Sequence, residues 1–194
     1  MKPFTLILTL ALVALTPAPG HGAETFAVTA AEPEAASPLQ VLTRLMDARL
    51  ALMPAVARHK WVRGGAIEDP KREAEVVAAF SRQARAAGVP ELWAAHFMRA
   101  QIEAAKAYQR ALFSRWQQGR VQALEPGPDL AREVRPQLDQ LGRDMVRALA
   151  AAWPELAAGP RLPPQLVLAE QQPYVAFLAL APLREGSLPP LPRR

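Results

Sequence analysis

Apolar residues recur every three or four positions over most of the chain between residues 37 and 160. This is the period of helices that bury one face and expose the other. Proline and glycine stand at the joints between the apolar runs, where they break regular structure. No alternating strand pattern interrupts the runs before residue 160. The pattern predicts an all-α fold, a single-domain helical bundle over residues 37–160.

Capping residues and glycines predict the limits of the first two helices. Ser37-Pro38 has a hydroxyl for the N-cap and a proline for the first helical position. The apolar run that follows ends at Gly64-Gly65, and Pro54 within it predicts a kink. Asp69-Pro70 repeats the start signal, and this second helix runs to about Ala87.

The third predicted helix is long, and the start of the fourth is ambiguous. The third begins at Pro90 and runs to about Gln118. A linker at 125–128 precedes a fourth helix, whose apolar stripe includes Leu138 and Leu149. Asp129 is a suitable N-cap for it, but Pro136 would then lie inside the helix.

Both ends of the chain differ from the bundle. Residues 1–23 are predicted to be a cleavable signal peptide, because a positive start and an apolar run at 4–15 precede small residues. That run is shorter than the roughly 20 residues that a membrane span needs. Residues 24–36 are expected to be a flexible leader. Residues 161–194 form a proline-rich tail, in which the apolar stretch 174–183 predicts a short helix packing on the bundle.

Composition narrows the classes of function. The chain has no cysteine, so disulfides, thiolate metal sites and cysteine nucleophiles are excluded. The net charge is +5, but the arginines are scattered, so nucleic acid is not an expected partner. The sequence contains no phosphate-binding glycine loop, nucleophile elbow or zinc-ligand spacing. We therefore predict neither a metal nor a cofactor.

Two cations share one face of the first helix. Arg49 and Lys60 are eleven residues apart, three helical turns, which separates them by about 16 Å along the axis. Two long side chains leaning toward each other leave a gap suited to a small dianion. The alternative is that both are solvated on a surface helix.

Other polar residues stand at informative positions. Asp69 and Glu73 suit the start of the second helix as cap and dipole partner. Arg72 does not, because a cation opposes the dipole at a helix N-terminus unless an anionic ligand is near. On the third helix, Gln109 follows Ala105 by one turn on an apolar face, where a buried amide needs a partner.

The order and spacing of these residues resemble the helical chorismate mutase family, in its exported (gamma) subclass. The main match runs from Arg49 to Gln109, and a weaker one extends through Glu133-Val134-Arg135 and Leu138-Asp139. The segments of the main match are Arg49-Leu50, Val56-Ala57, Lys60-Trp61, Ile67-Glu68-Asp69, Arg72-Glu73, Gln101-Ile102-Glu103-Ala104, Lys106 and Gln109.

The resemblance implies the rearrangement of chorismate to prephenate and a role for each matching residue. Arg49 and Arg72 would hold the substrate carboxylates. Lys60 and Gln109 would donate hydrogen bonds to the ether oxygen.

Four further positions follow from the same resemblance. Asp69 and Glu73 would lie around the substrate hydroxyl. Arg135 would complete the site from the fourth helix, with Arg132 as the alternative. Ala105 is a departure, because relatives often carry Ser or Thr there. The tail after residue 160 does not match the family.

The resemblance also implies a periplasmic or secreted protein, with chorismate as its small-molecule partner and a homodimer suggested by relatives. No stable membrane insertion is expected after signal cleavage. Two alternatives stay open at this point. One is an isochorismate pyruvate lyase-like enzyme with a similar pocket, and the other is a non-catalytic helical periplasmic binding protein.

Overall fold

The computed structural model describes residues 36–119, 124–125, 127–159 and 163–185. The predicted signal peptide (1–23) and all of the leader (24–36) except Ala36 lie outside this part of the chain. Within it, the regular structure is helical throughout, as predicted. The helices are α1 (Pro38–Ala51), α2 (Met53–Val62), α3 (Pro70–Ala86), α4 (Glu91–Gln118), α5 (Arg135–Ala157) and α6 (Pro173–Glu185).

The first predicted helix is divided into α1 and α2. Ser37 caps α1 in a reciprocal capping box with Gln40. Pro54 lacks the N–H that would bond the Leu50 carbonyl, and α1 and α2 are divided at Leu52, whose backbone stays in the right-handed helical region. The Leu52 N–H bonds the Arg49 carbonyl at 3.3 Å, which tightens the last turn of α1.

Long α4 is the centre of the bundle. It packs against α3 on one side and α6 on another, and α2 also contacts it, while α1 packs against α5. Its small residues Ala94 and Ala104 are fully buried and allow close approach of neighbouring helices. Trp93 and Phe97 stack with centroids 5.6 Å apart and anchor the apolar core.

A wide turn resolves the ambiguous start of α5. Residues Leu130–Val134 form a π-helical turn, and the Arg135 N–H bonds the Leu130 carbonyl five residues back. Asp129 caps this turn through the N–H groups of Ala131 and Arg132. Pro136 then falls in the first turn of α5, where its missing N–H costs nothing.

The apolar stretch of the tail forms α6, which packs on α4. The fully buried Gln101 of α4 donates from Nε2 to the Ala179 carbonyl at 2.8 Å. Asp47 of α1 accepts hydrogen bonds from the N–H groups of Val167 and Leu168 at 2.9 and 3.2 Å, in the 3-10 turn before α6. Across the described residues, each helix is too short or too polar to cross a membrane.

We predict that Asp47→Ala lowers the free energy of unfolding by about 1–2 kcal/mol, because two backbone N–H groups lose a charged acceptor. Urea titration followed by circular dichroism measures the change. The control is Arg82→Ala on α3, an exposed position that should change stability by less than about 0.5 kcal/mol. Equal stability of the two variants would contradict the role of Asp47 in fastening the tail.

Candidate active site

A cavity of about 400 Å³ lies among α1 to α5 and the π-helical turn. Each residue carried over from the family resemblance contributes to its wall. These residues are Arg49, Lys60, Asp69, Arg72, Glu73, Ala105, Gln109 and Arg135. Four separate helices and the start of α3 therefore bring together positions that are up to 86 residues apart in the sequence. The alternative Arg132 is exposed and is not part of the wall.

Arg49 brings a cation into the interior at the end of α1. Its side chain is buried, with 9% of the residue exposed, and its Nε atom has no hydrogen-bond partner within the described residues. Burial lowers its pKa from the ordinary arginine value to about 10, and the nearby carboxylate of Asp139 partly opposes this shift. Burying such a cation is costly, and an anionic ligand would offset the cost.

Lys60 reaches the same cavity from α2. Its Nζ donates to the Ile67 carbonyl, which leaves two of its three N–H donors for other acceptors. Burial lowers the pKa of Lys60, Arg135 adds to this, and the carboxylates of Asp69, Glu73 and Glu68 oppose it. The local charges therefore favour the cationic form that burial disfavours.

The start of α3 is held by hydrogen bonds among the residues predicted there. Asp69 caps the helix by accepting from the Arg72 N–H at 3.1 Å, and Glu73 accepts from the Asp69 N–H at 3.1 Å. The other carboxylate oxygen of Glu73 pairs with Nζ of Lys106 at 3.0 Å. The capping interpretation of Asp69 and Glu73 is therefore correct, and both side chains also line the cavity.

Gln109 is buried on α4, with 4% of its surface exposed. Its Nε2 lies 3.2 Å from the Ala105 carbonyl oxygen and 3.6 Å from Sδ of Met53. The carbonyl can accept only from the amide nitrogen, which fixes the orientation of the side chain. A thioether is a weak acceptor, so a ligand oxygen is a better partner for the second N–H. Ala105 presents only a methyl group to the cavity.

Asp139 is a cavity residue that the sequence indicated only through the weak match in the fourth helix. It accepts a hydrogen bond from Nη2 of Arg72 at 3.0 Å and is the charge that opposes the pKa shift of Arg49. Asp139 stands one turn after Arg135, so i, i+4 spacing on α5 was the available signal. Lys106 and Arg143 also line the wall, although neither was a predicted site residue.

The cavity wall has a positive balance of charge. The described residues that line it include six cations and four carboxylates, which leaves +2. The cations are Arg49, Lys60, Arg72, Lys106, Arg135 and Arg143, and the carboxylates are Asp69, Glu73, Glu75 and Asp139. Within the described part of the chain no three His, Asp or Glu side chains are grouped as metal ligands would be. The positive balance of the wall suits a small dianion.

We predict that Arg49→Met raises the free energy of unfolding by about 1 kcal/mol, because it removes a buried and incompletely bonded charge. The folded-state pKa of about 10 lies below the ordinary arginine value, so the penalty is fully present below pH 10 and is relieved at higher pH. Urea unfolding at pH 7 measures the effect. Arg44→Met, at an exposed position on the same helix, is the control and should be nearly neutral. Destabilisation of Arg49→Met by more than about 2 kcal/mol would indicate a structural role instead.

Comparison with known proteins identifies the family. The family model described as chorismate mutase type II matches residues 40–110. The chain is 36% identical over 121 residues to a protein named "Secreted chorismate mutase" from Mycolicibacterium smegmatis, a match that spans 62% of this chain and 66% of that protein. The described helices resemble the crystal structure of chorismate mutase from Burkholderia thailandensis, with 34% identity, a TM-score of 0.64 and coverage of 75% of this chain and 98% of that one.

A second crystal structure, chorismate mutase from Burkholderia phymatum, is 27% identical, with a TM-score of 0.62 and coverage of 74% of this chain and 93% of that one. The secreted chorismate mutase from Yersinia pestis, at 23% identity and a TM-score of 0.53, shares the fold. Sequence and structure thus agree, and the chain belongs to the helical chorismate mutase family, type II.

Proposed function

We propose that this protein is an isomerase that rearranges chorismate to prephenate in the described cavity. One observation supports the proposal most directly. All eight residues implied by the family line the same cavity, and the residues of its wall have a net charge of +2. Chorismate has two carboxylates, so its charge complements that wall. The reaction needs no nucleophile and no proton transfer, because one C–O bond breaks while one C–C bond forms.

The arginines would restrain the substrate. A guanidinium binds a carboxylate through two parallel N–H donors, which fixes orientation as well as position. Arg49 offers the Nε donor that lacks a partner within the described residues, and Arg72 and Arg135 stand elsewhere on the wall. Holding the two carboxylates in a compact arrangement brings the bond-forming carbons close, and this lowers the entropic part of the barrier.

Lys60 and Gln109 would stabilise the charge that develops on the ether oxygen as the C–O bond breaks. Both are N–H donors held in place before the reaction, Lys60 by the Ile67 carbonyl and Gln109 by the Ala105 carbonyl. Preorganised donors of this kind stabilise the transition state without reorganising during the step. Glu73 would accept from the substrate hydroxyl while Lys106 holds its other oxygen.

The proposal extends to where the enzyme acts. The signal-like segment 1–23 and the similarity to a protein named as secreted support export to the periplasm or beyond the cell. The mature protein would then work without cysteine, on a core of packed helices alone. One chain supplies every proposed site residue, so in the homodimer that the family resemblance suggests each subunit would have its own complete pocket.

Loss of chorismate absorbance after addition of the purified protein tests the reaction. We expect Lys60→Ala to lower kcat by about 100- to 1000-fold, because one donor to the developing charge is removed. Lys71→Ala is the matched control, since Lys71 is an exposed lysine of α3 that does not line the cavity. Full activity in Lys60→Ala would exclude this site.

The same protein offered isochorismate should release no pyruvate. Pyruvate from isochorismate without loss of chorismate would favour the lyase. A folded protein that is inactive on both compounds would favour a non-catalytic binding role.

The pH profile tests Gln109. A neutral amide donates at any pH, so we expect wild-type activity to be level from mildly acidic to mildly basic pH. It should fall at alkaline pH as Lys60 loses its proton, below the ordinary lysine pKa because burial lowers the pKa of Lys60. Gln109→Glu donates only when protonated and should move the optimum to acid. A level profile in this variant would refute the role of Gln109.

A further inference from the structure

Gly142 stands inside α5, seven residues after its first residue, and lines the cavity. Glycine in a helix interior is less favourable than alanine, since its backbone loses more freedom on folding. Three features explain a glycine inside a helix: a neighbouring element packs closely against it, its backbone is left-handed, or a ligand needs the space that a side chain would fill.

The first two reasons do not apply here. A Cβ built on Gly142 meets no other heavy atom within 4 Å, so no neighbouring helix approaches it closely. Its backbone is right-handed helical, whereas the glycines with positive φ are Gly64, Gly88 and Gly159 among the described residues. An alanine would therefore fit and would strengthen the helix.

The open space beside Gly142 is the cavity itself. Gly142 follows Leu138 and Asp139 by four and three residues, so all three share the cavity face of α5. Asp139 is hydrogen-bonded to Arg72 at 3.0 Å. A side chain at position 142 would project into the cavity one turn from Asp139, the carboxylate that pairs with Arg72.

We infer that Gly142 is a specificity-determining residue, whose bare backbone reserves room for a cyclic dicarboxylate to pack directly against α5. The inference rests on the proposed function, because it assigns this part of the cavity to the same substrate. The residue would act by shape alone, since it contributes no charge and no side-chain donor. The cavity would accept a compact ring here and would reject it once a side chain fills the space.

Gly142→Ala and Gly142→Leu test the inference in the full protein, with Ala151→Leu as the control. Ala151 is an exposed residue of α5 that does not line the cavity, so it receives the same bulk away from the site. We expect KM for chorismate to rise several-fold in Gly142→Ala. In Gly142→Leu, kcat/KM should fall by about tenfold or more. The Tm of Gly142→Ala should rise by about 2–4 °C, as for a favourable helix substitution.

Higher stability together with weaker substrate binding is a combination that a merely structural glycine would not produce. An unchanged KM in both Gly142 variants, with an active wild type, overturns the inference and leaves the proposed function standing. A fall in kcat at constant KM that is equal for alanine and leucine also overturns it, because helix flexibility then explains the glycine. A wild type that leaves chorismate intact overturns the proposed function, and the inference with it.

Discussion

Helix α4 extends over 28 residues, and other helices cover it along most of that length. A polar group on the buried face of α4 needs a partner inside the protein. Nε2 of Gln101 donates to a carbonyl of α6, and Nε2 of Gln109 donates to the carbonyl one turn back on its own helix, but Oε1 of each has no hydrogen-bond partner among the described residues. The bond from Nε2 to the Ala105 carbonyl therefore sets the orientation of the Gln109 amide beside the cavity.

The burial of Arg49 in the cavity wall costs the folded protein electrostatic free energy. Arg49 is removed from water, and Asp139 compensates it only through space, since its hydrogen bond goes to Arg72. A protein selected for stability alone would place an apolar side chain at Arg49. This cost has a functional consequence. A negatively charged ligand replaces the interactions with water that Arg49 has lost, and it binds more strongly as a result.

Local chemistry made most of the fold predictable. The caps at Ser37 and Asp69 and the apolar periodicity between them act over a few residues, and the observed helices begin where these signals stand. The division at Leu52 and the π-helical turn could not be predicted in detail. Each depends on how the tertiary packing accommodates a nearby proline. The positions of the site residues were predicted from the resemblance to the chorismate mutase family. The burial of Arg49 and its proximity to Asp139 arise only when α1 and α5 pack together, so no spacing along the chain encodes them.

The π-helical turn also constrains the length of the chain. Leu130 and Arg135 are joined by a hydrogen bond across the turn, and both side chains line the cavity. In an ordinary α-helix, residues five apart point about 140° away from each other, so the two would not share a wall. An insertion or deletion in this segment would therefore separate Leu130 and Arg135 on the wall even if both residues were kept. The number of residues between Asp129 and Pro136 should be constant among relatives even where the residues other than Leu130 and Arg135 differ.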